Sequence, residues 1–104
     1  MSNYEIFDID KAEKLRIAYK QKCNHEKEKL IRSLIALQRT SIRKSIVGEK
    51  ISIHYIYKKK TIETILNDLG YQLISYKIKF HQKTSEEYTV FSFIPKACHT
   101  AEDN

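Results

Sequence analysis

Apolar side chains recur at three- and four-residue steps through Ile9, Ala12, Leu15, Tyr19 and Cys23, the spacing that aligns them on one side of a helix. Asp8 and Asp10 stand just before this run and can accept the unpaired N–H groups of a first helical turn. Asp10 with Glu13 also approximates a capping box. From Lys20 to Lys29 apolar residues almost vanish. There the helix either continues through solvent or breaks at Asn24, which would cap a second helix with Glu26 and Glu28 in its first turn. Leu30, Ile31, Leu34, Ile35, Leu37, Ile42 and Ile46 then form a wider apolar stripe, with Gly48 placed as its C-terminal cap. One unbroken helix over residues 9–47 would be about 58 Å long at 1.5 Å per residue. That is too long for a compact domain of this size, so a monomer favours the broken form; an unbroken helix would need a partner chain along its projecting part.

Residues 51–57, Ile-Ser-Ile-His-Tyr-Ile-Tyr, alternate and are rich in β-branched and aromatic side chains, which predicts a strand. Ile62, Ile65, Leu66 and Leu69 share one helical face, so residues 61–69 read as a short helix. Gly70 closes it, and Tyr71 is placed to fold back onto Ile65 or Leu66. Residues 71–80 and 88–94 are strand-like and joined by polar residues 81–87, the pattern of an antiparallel hairpin with a charged tip. The expectation is an α+β fold, order α(α)-β-α-β-β: a long N-terminal helix or helix pair packed on a three-stranded sheet. If the first two strands are neighbours and parallel, their crossover is right-handed. Residues 1–95 make one domain, and 96–104 a disordered acidic tail. Leu30, Leu34, Leu37, Ile65, Leu69, Leu73, Ile78, Val90 and Phe91 are the expected core.

Length and composition agree with this. A chain of 104 residues buries roughly two-thirds of its unfolded surface, enough for one modest core without staples. Two Gly and one Pro leave little room for long loops or Gly-rich phosphate cradles. Cys23 and Cys98 could make at most one bridge, so the sequence is no disulfide scaffold and reads as a reduced, cytoplasmic protein. Neither a membrane span nor a secretory leader is visible in the sequence.

The net charge of +6 is unevenly spread, with +5 over residues 1–48, +4 over 49–83 and −3 over 84–104. A basic body suits nucleic acid or an acidic protein surface; a merely solvated lysine-rich exterior would look similar. Three clusters stand out: Arg39, Arg43 and Lys44; Lys58, Lys59 and Lys60; and Lys77 and Lys79, with Lys83 beyond them. These cations could neutralise phosphates while Tyr55, Tyr57 or Tyr76 stacks on bases. A winged-helix reading would make residues 61–69 the recognition helix, but that segment carries Glu63 and Asp68 and no cation.

Catalytic motifs are missing: there is no nucleophile elbow, phosphate-binding loop, zinc-protease motif or paired-acid signature. His54 and His81 could in principle serve as acid and base, but nothing in their spacing brings them together. Cys23 and His25 with Cys98 and His99 offer zinc-type donors at spacings unlike a finger or ribbon. The expectation is therefore a binding protein without catalytic residues, metal or cofactor. Its partner would be nucleic acid or an acidic host protein, with the stripe over residues 9–47 as a possible homo-oligomer contact.

Leu69-Gly70-Tyr71 at a helix end and Tyr88-Thr89-Val90-Phe91-Ser92-Phe93 as a closing strand, together with the whole element order, resemble small α/β proteins encoded by tailed bacteriophages. The Trp that often ends such strands is absent here. The resemblance implies an accessory role in a host cytoplasm, as virion component, regulator or inhibitor of host machinery, and transfers no functional residue.

Overall fold

The computed structural model describes residues 6–42 and 45–96. Their element order is α1 (Ile9–Gln21), α2 (His25–Thr40), β1 (Ile51–Ile53), α3 (Lys59–Leu69), β2 (Tyr71–Phe80) and β3 (Glu87–Pro95), an α+β fold as the pattern predicts. The N-terminal stretch takes the broken form. Asn24 caps α2 by accepting from the Lys27 N–H at 3.3 Å, and Cys23 makes the turn with φ 57°. At the start of α1 the cap is Asp8, which accepts from the Lys11 N–H at 3.0 Å. Asp10 lies inside the first turn, so the expected Asp10–Glu13 capping box does not form.

The second helix is shorter than its apolar stripe suggests. Thr40 turns its hydroxyl back onto the Ala36 carbonyl at 2.9 Å, a bond that competes with helix continuation, and Ser41 leaves in an extended conformation. Ile46 and Val47 are still buried, but from the connection to β1, where the Ile46 N–H donates to Gln38 Oε1 at 3.1 Å. Gly48 is therefore no helix cap. Its N–H donates to the Phe93 carbonyl at 2.8 Å and ties that connection to the sheet.

The sheet order is β1-β3-β2, all pairs antiparallel. β1 and β2 run parallel but with β3 between them, so the neighbouring arrangement considered from sequence does not occur. The register pairs Ile51 with Phe91, Ile53 with Thr89, Tyr76 with Phe91 and Ile78 with Thr89; these side chains share one face, and an irregularity between Leu73 and Ser75 restores the alternation. On this inner face Ile51, Ile53, Phe91 and Phe93 join Leu30, Ile31, Leu34, Ile35, Ile62, Ile65, Leu66 and Leu69 in one core. Of the expected core, Leu37 and Leu73 pack at its margin, while Ile78 and Val90 are only half-buried: the first lies towards the hairpin tip and the second faces the other way.

Gly70, at φ 91°, ends α3 as expected. Tyr71, however, packs against Phe7 and Phe93 at ring distances of 5.7 and 5.1 Å. Its hydroxyl accepts from the Asp8 N–H at 3.2 Å, fastening the chain before α1 to the sheet.

The α1–α2 pair is laced by charge. Glu28, buried on α2, receives Arg32 at 2.9 Å and Arg16 of α1 at 3.1 Å. Hydrogen bonds from Arg32, and secondarily from Arg16, hold its carboxyl below the ordinary range against the opposing effect of desolvation. A depressed folded-state value gives stability that is present above the unfolded pKa, about 4.3, and lost as pH falls through the folded one. Glu28→Gln should therefore lower the melting temperature at neutral pH, and the gap from the unaltered protein should shrink on acidification below about pH 4. Thermal melts across pH check this.

Candidate nucleic-acid interface on the outer sheet face

Side chains alternate across a strand, so the register that buries Ile51, Ile53, Thr89, Phe91 and Phe93 turns their neighbours outward. Ser52 of β1, Tyr88, Val90, Ser92 and Ile94 of β3, and Gln72, Ser75, Lys77 and Lys79 of β2 form the outer face. The Ser75 and Ser92 hydroxyls meet across it at 2.7 Å. Lys50, just before β1, lines a depression of about 220 Å³ together with Ser75, Lys77, Lys79 and Val90, so Lys77 and Lys79 of one edge strand and Lys50 at the foot of the other converge over β3. His54, just after β1, lays its ring against Tyr88 at 5.6 Å and 32°. No outward position of the three strands is Asp or Glu. A groove between α2 and β1, lined by Leu37, Thr40, Glu49, Lys50 and Ser52, adjoins this face and places one carboxylate at its rim.

The ion pairs among the described residues all lie elsewhere, within α1 and α2, and use Arg16, Arg32 and Arg39. None involves Lys50, Lys77 or Lys79. All three are exposed, and, like every other lysine among the described residues, they stand outside these ion pairs.

The cations singled out from sequence divide into groups. Lys77 and Lys79 lie together on the outer face. Lys58, Lys59 and Lys60 are exposed at the start of α3, which packs against the sheet from the core side. Arg39 bonds to Glu13 of α1 at 3.5 Å. Arg43 and Lys44 lie outside the described residues. The eight positions thus do not form one surface. Because α3 begins at Lys59, its first turn does carry cations, contrary to the expected start at residue 61. That turn holds Lys59 and Lys60, no acid and no side-chain cap, the reverse of what the helix dipole favours.

The expected stacking tyrosines are otherwise engaged. The strand expected over residues 51–57 stops at Ile53 because residues 54–58 are drawn over the core edge. The Tyr57 N–H donates to Thr89 Oγ1 at 3.1 Å, and that hydroxyl donates to the Tyr55 carbonyl at 2.6 Å. Tyr76 donates to the Tyr57 carbonyl at 2.6 Å. The Tyr55 ring lies under Lys29 Nζ at 3.9 Å. Tyr57 is fully buried and its hydroxyl has no hydrogen-bond partner among the described residues. Burial, followed by the charges of Tyr55 and Glu26, pushes its pKa up to about 12. A buried hydroxyl without a partner costs about 1–3 kcal/mol. Tyr57→Phe should accordingly stabilise the fold by about 1 kcal/mol, read as a higher denaturation midpoint with an unchanged m-value.

Lys50, Tyr88 and the position of His54 carry no local sequence signal that places them on this face. Lys50 becomes a neighbour of Lys77 and Lys79 only through the β1–β3–β2 order. Of the zinc-type donors, Cys23 is exposed in the α1–α2 turn, and Cys98 and His99 lie outside the described residues, as does the rest of the tail from residue 97. Among the described residues no three His, Cys, Asp or Glu side chains gather as a metal site, and no helix is long and apolar enough to cross a membrane. Comparison with protein-family models, curated proteins and solved structures gives no match.

Proposed function

We propose that this protein acts by binding nucleic acid through the outer face of its sheet, with Lys50, Lys77 and Lys79 contacting phosphates. The observation that carries this reading is the segregation of charge. Among the described residues, Lys50, Lys77 and Lys79 crowd a sheet face whose outward strand positions hold no carboxylate, with Glu49 at its rim, while the ion pairs lie on α1 and α2. Like charges held together on one surface repel and are offset by a polyanion. An accessory role of the kind implied by the phage-like element order is compatible with this. The apolar stripe of residues 9–47 does not argue for an assembly surface, because Leu30, Ile31, Leu34 and Ile35 are spent in the protein's own core.

Titration of a labelled mixed-sequence oligonucleotide at several salt concentrations tests the reading. Association should weaken steeply with salt, the logarithmic slope falling by about 0.7 for each phosphate neutralised on a single strand. Absence of binding at low salt would reject it, and binding of polyglutamate instead would point to an acidic protein partner.

A further inference from the structure

Resting on that reading, we infer that the ligand is single-stranded nucleic acid, with a base stacked on the Tyr88–His54 ring pair. A duplex is read by elements that enter a groove, and its major groove is about 12 Å wide. Three strands at about 4.8 Å spacing already span about 10 Å before any side chain is added, so this sheet cannot enter. The three helices bury their apolar sides in the core on the opposite side, and none projects from the face that carries Lys50, Lys77 and Lys79.

A single strand needs different furniture: cations that follow the backbone and aromatic surface for unstacked bases. Both are present within a few residues. Tyr88 is paired with Lys79 across the β2–β3 ladder, so a ring and an ammonium sit side by side. Lys77, two residues back on the same face, is about 6.7 Å further along the strand. His54 lies beside Tyr88, ring centroids 5.6 Å apart and planes tilted by 32°, so a second ring borders the same spot, and Val90 provides an apolar floor between the lysines. Stacking needs no base-specific hydrogen bond, so binding should tolerate sequence changes.

The test compares a short mixed-sequence single strand with the blunt duplex of the same sequence, using the full chain and the variants Tyr88→Ala, Tyr88→Leu and Tyr88→Phe. The single strand should bind tighter than the duplex. Tyr88→Ala should weaken it about tenfold and leave duplex binding unchanged, while Tyr88→Phe retains affinity. Tyr88→Leu preserves bulk and strand propensity, so it keeps the test valid if the alanine variant fails to fold, and it should lose affinity likewise. Equal binding of both forms, with no effect of any Tyr88 variant, would overturn the stacking inference and leave electrostatic binding standing. Binding of neither form would overturn both.

Discussion

Replacing Lys50, Lys77 and Lys79 together by alanine should weaken oligonucleotide binding about a hundredfold at ~0.1 M salt and reduce the logarithmic salt slope by about 2. The slope follows from three lost phosphate contacts at about 0.7 each, and the affinity follows from extrapolating that slope down from ~1 M. The fold should be unaffected, because exposed substitutions away from structural contacts usually change stability by less than about 0.5 kcal/mol. The matched control is Lys58→Ala, Lys59→Ala and Lys60→Ala, which removes the same charge from the start of α3. Both triples cut the net charge equally. A binding loss confined to the first triple locates the contact, and equal losses would reduce the effect to overall charge.

The largest effect on stability is expected at Thr89. Its hydroxyl accepts from Tyr57 and donates to Tyr55, and the residue is fully buried. Thr89→Val keeps shape and strand propensity but leaves the Tyr57 N–H without its acceptor and the Tyr55 carbonyl without its donor. The buried Tyr57 N–H left unsatisfied costs about 1–3 kcal/mol, and the part-buried Tyr55 carbonyl, which water can reach, adds about 1 kcal/mol, so a loss of about 2–4 kcal/mol is expected. Chemical denaturation measures it. The change should also loosen residues 54–58, and with them His54, so single-strand binding should fall even under conditions where the variant stays folded. A Thr89→Val protein as stable as the parent would show that the loop is held by packing alone.

Local order was legible wherever one residue type answers one physical need. Gly70 supplies the left-handed backbone that ends α3, Asn24 supplies a cap acceptor, and the apolar face of Ile62, Ile65, Leu66 and Leu69 has one solution. Boundaries failed where a distant contact decides them. The alternation of residues 51–57 continues past Ile53, but Thr89 and Tyr76 on other strands capture that backbone and end the strand. Ile46 keeps step with the α2 stripe, yet it reaches the core from a loop. Phe7, an aromatic outside any periodic run, carries no local signal for its stacking on Tyr71.

The same distinction governs the candidate interface. Lys77 and Lys79 were visible as alternate residues of a strand, and their common face follows from that period. Lys50 and His54 flank a three-residue strand, and only the insertion of β3 between β1 and β2 brings them to Lys77, Lys79 and Tyr88. Conversely, Tyr57 looked like a stacking residue because it is aromatic and follows an alternating run, but its ring is buried. Charge counting could not tell Arg39, paired with Glu13, from lysines on the open face.

Backbone amide shifts of isotopically labelled protein, followed during titration with a mixed-sequence single strand, test the central claim most directly. Binding on the outer sheet face should perturb amides at Lys50–His54, Ser75–Lys79 and Tyr88–Ser92, while α1 and α2 stay still. Perturbations centred on the first turn of α3 or on the helix pair, with the sheet unmoved, would contradict it.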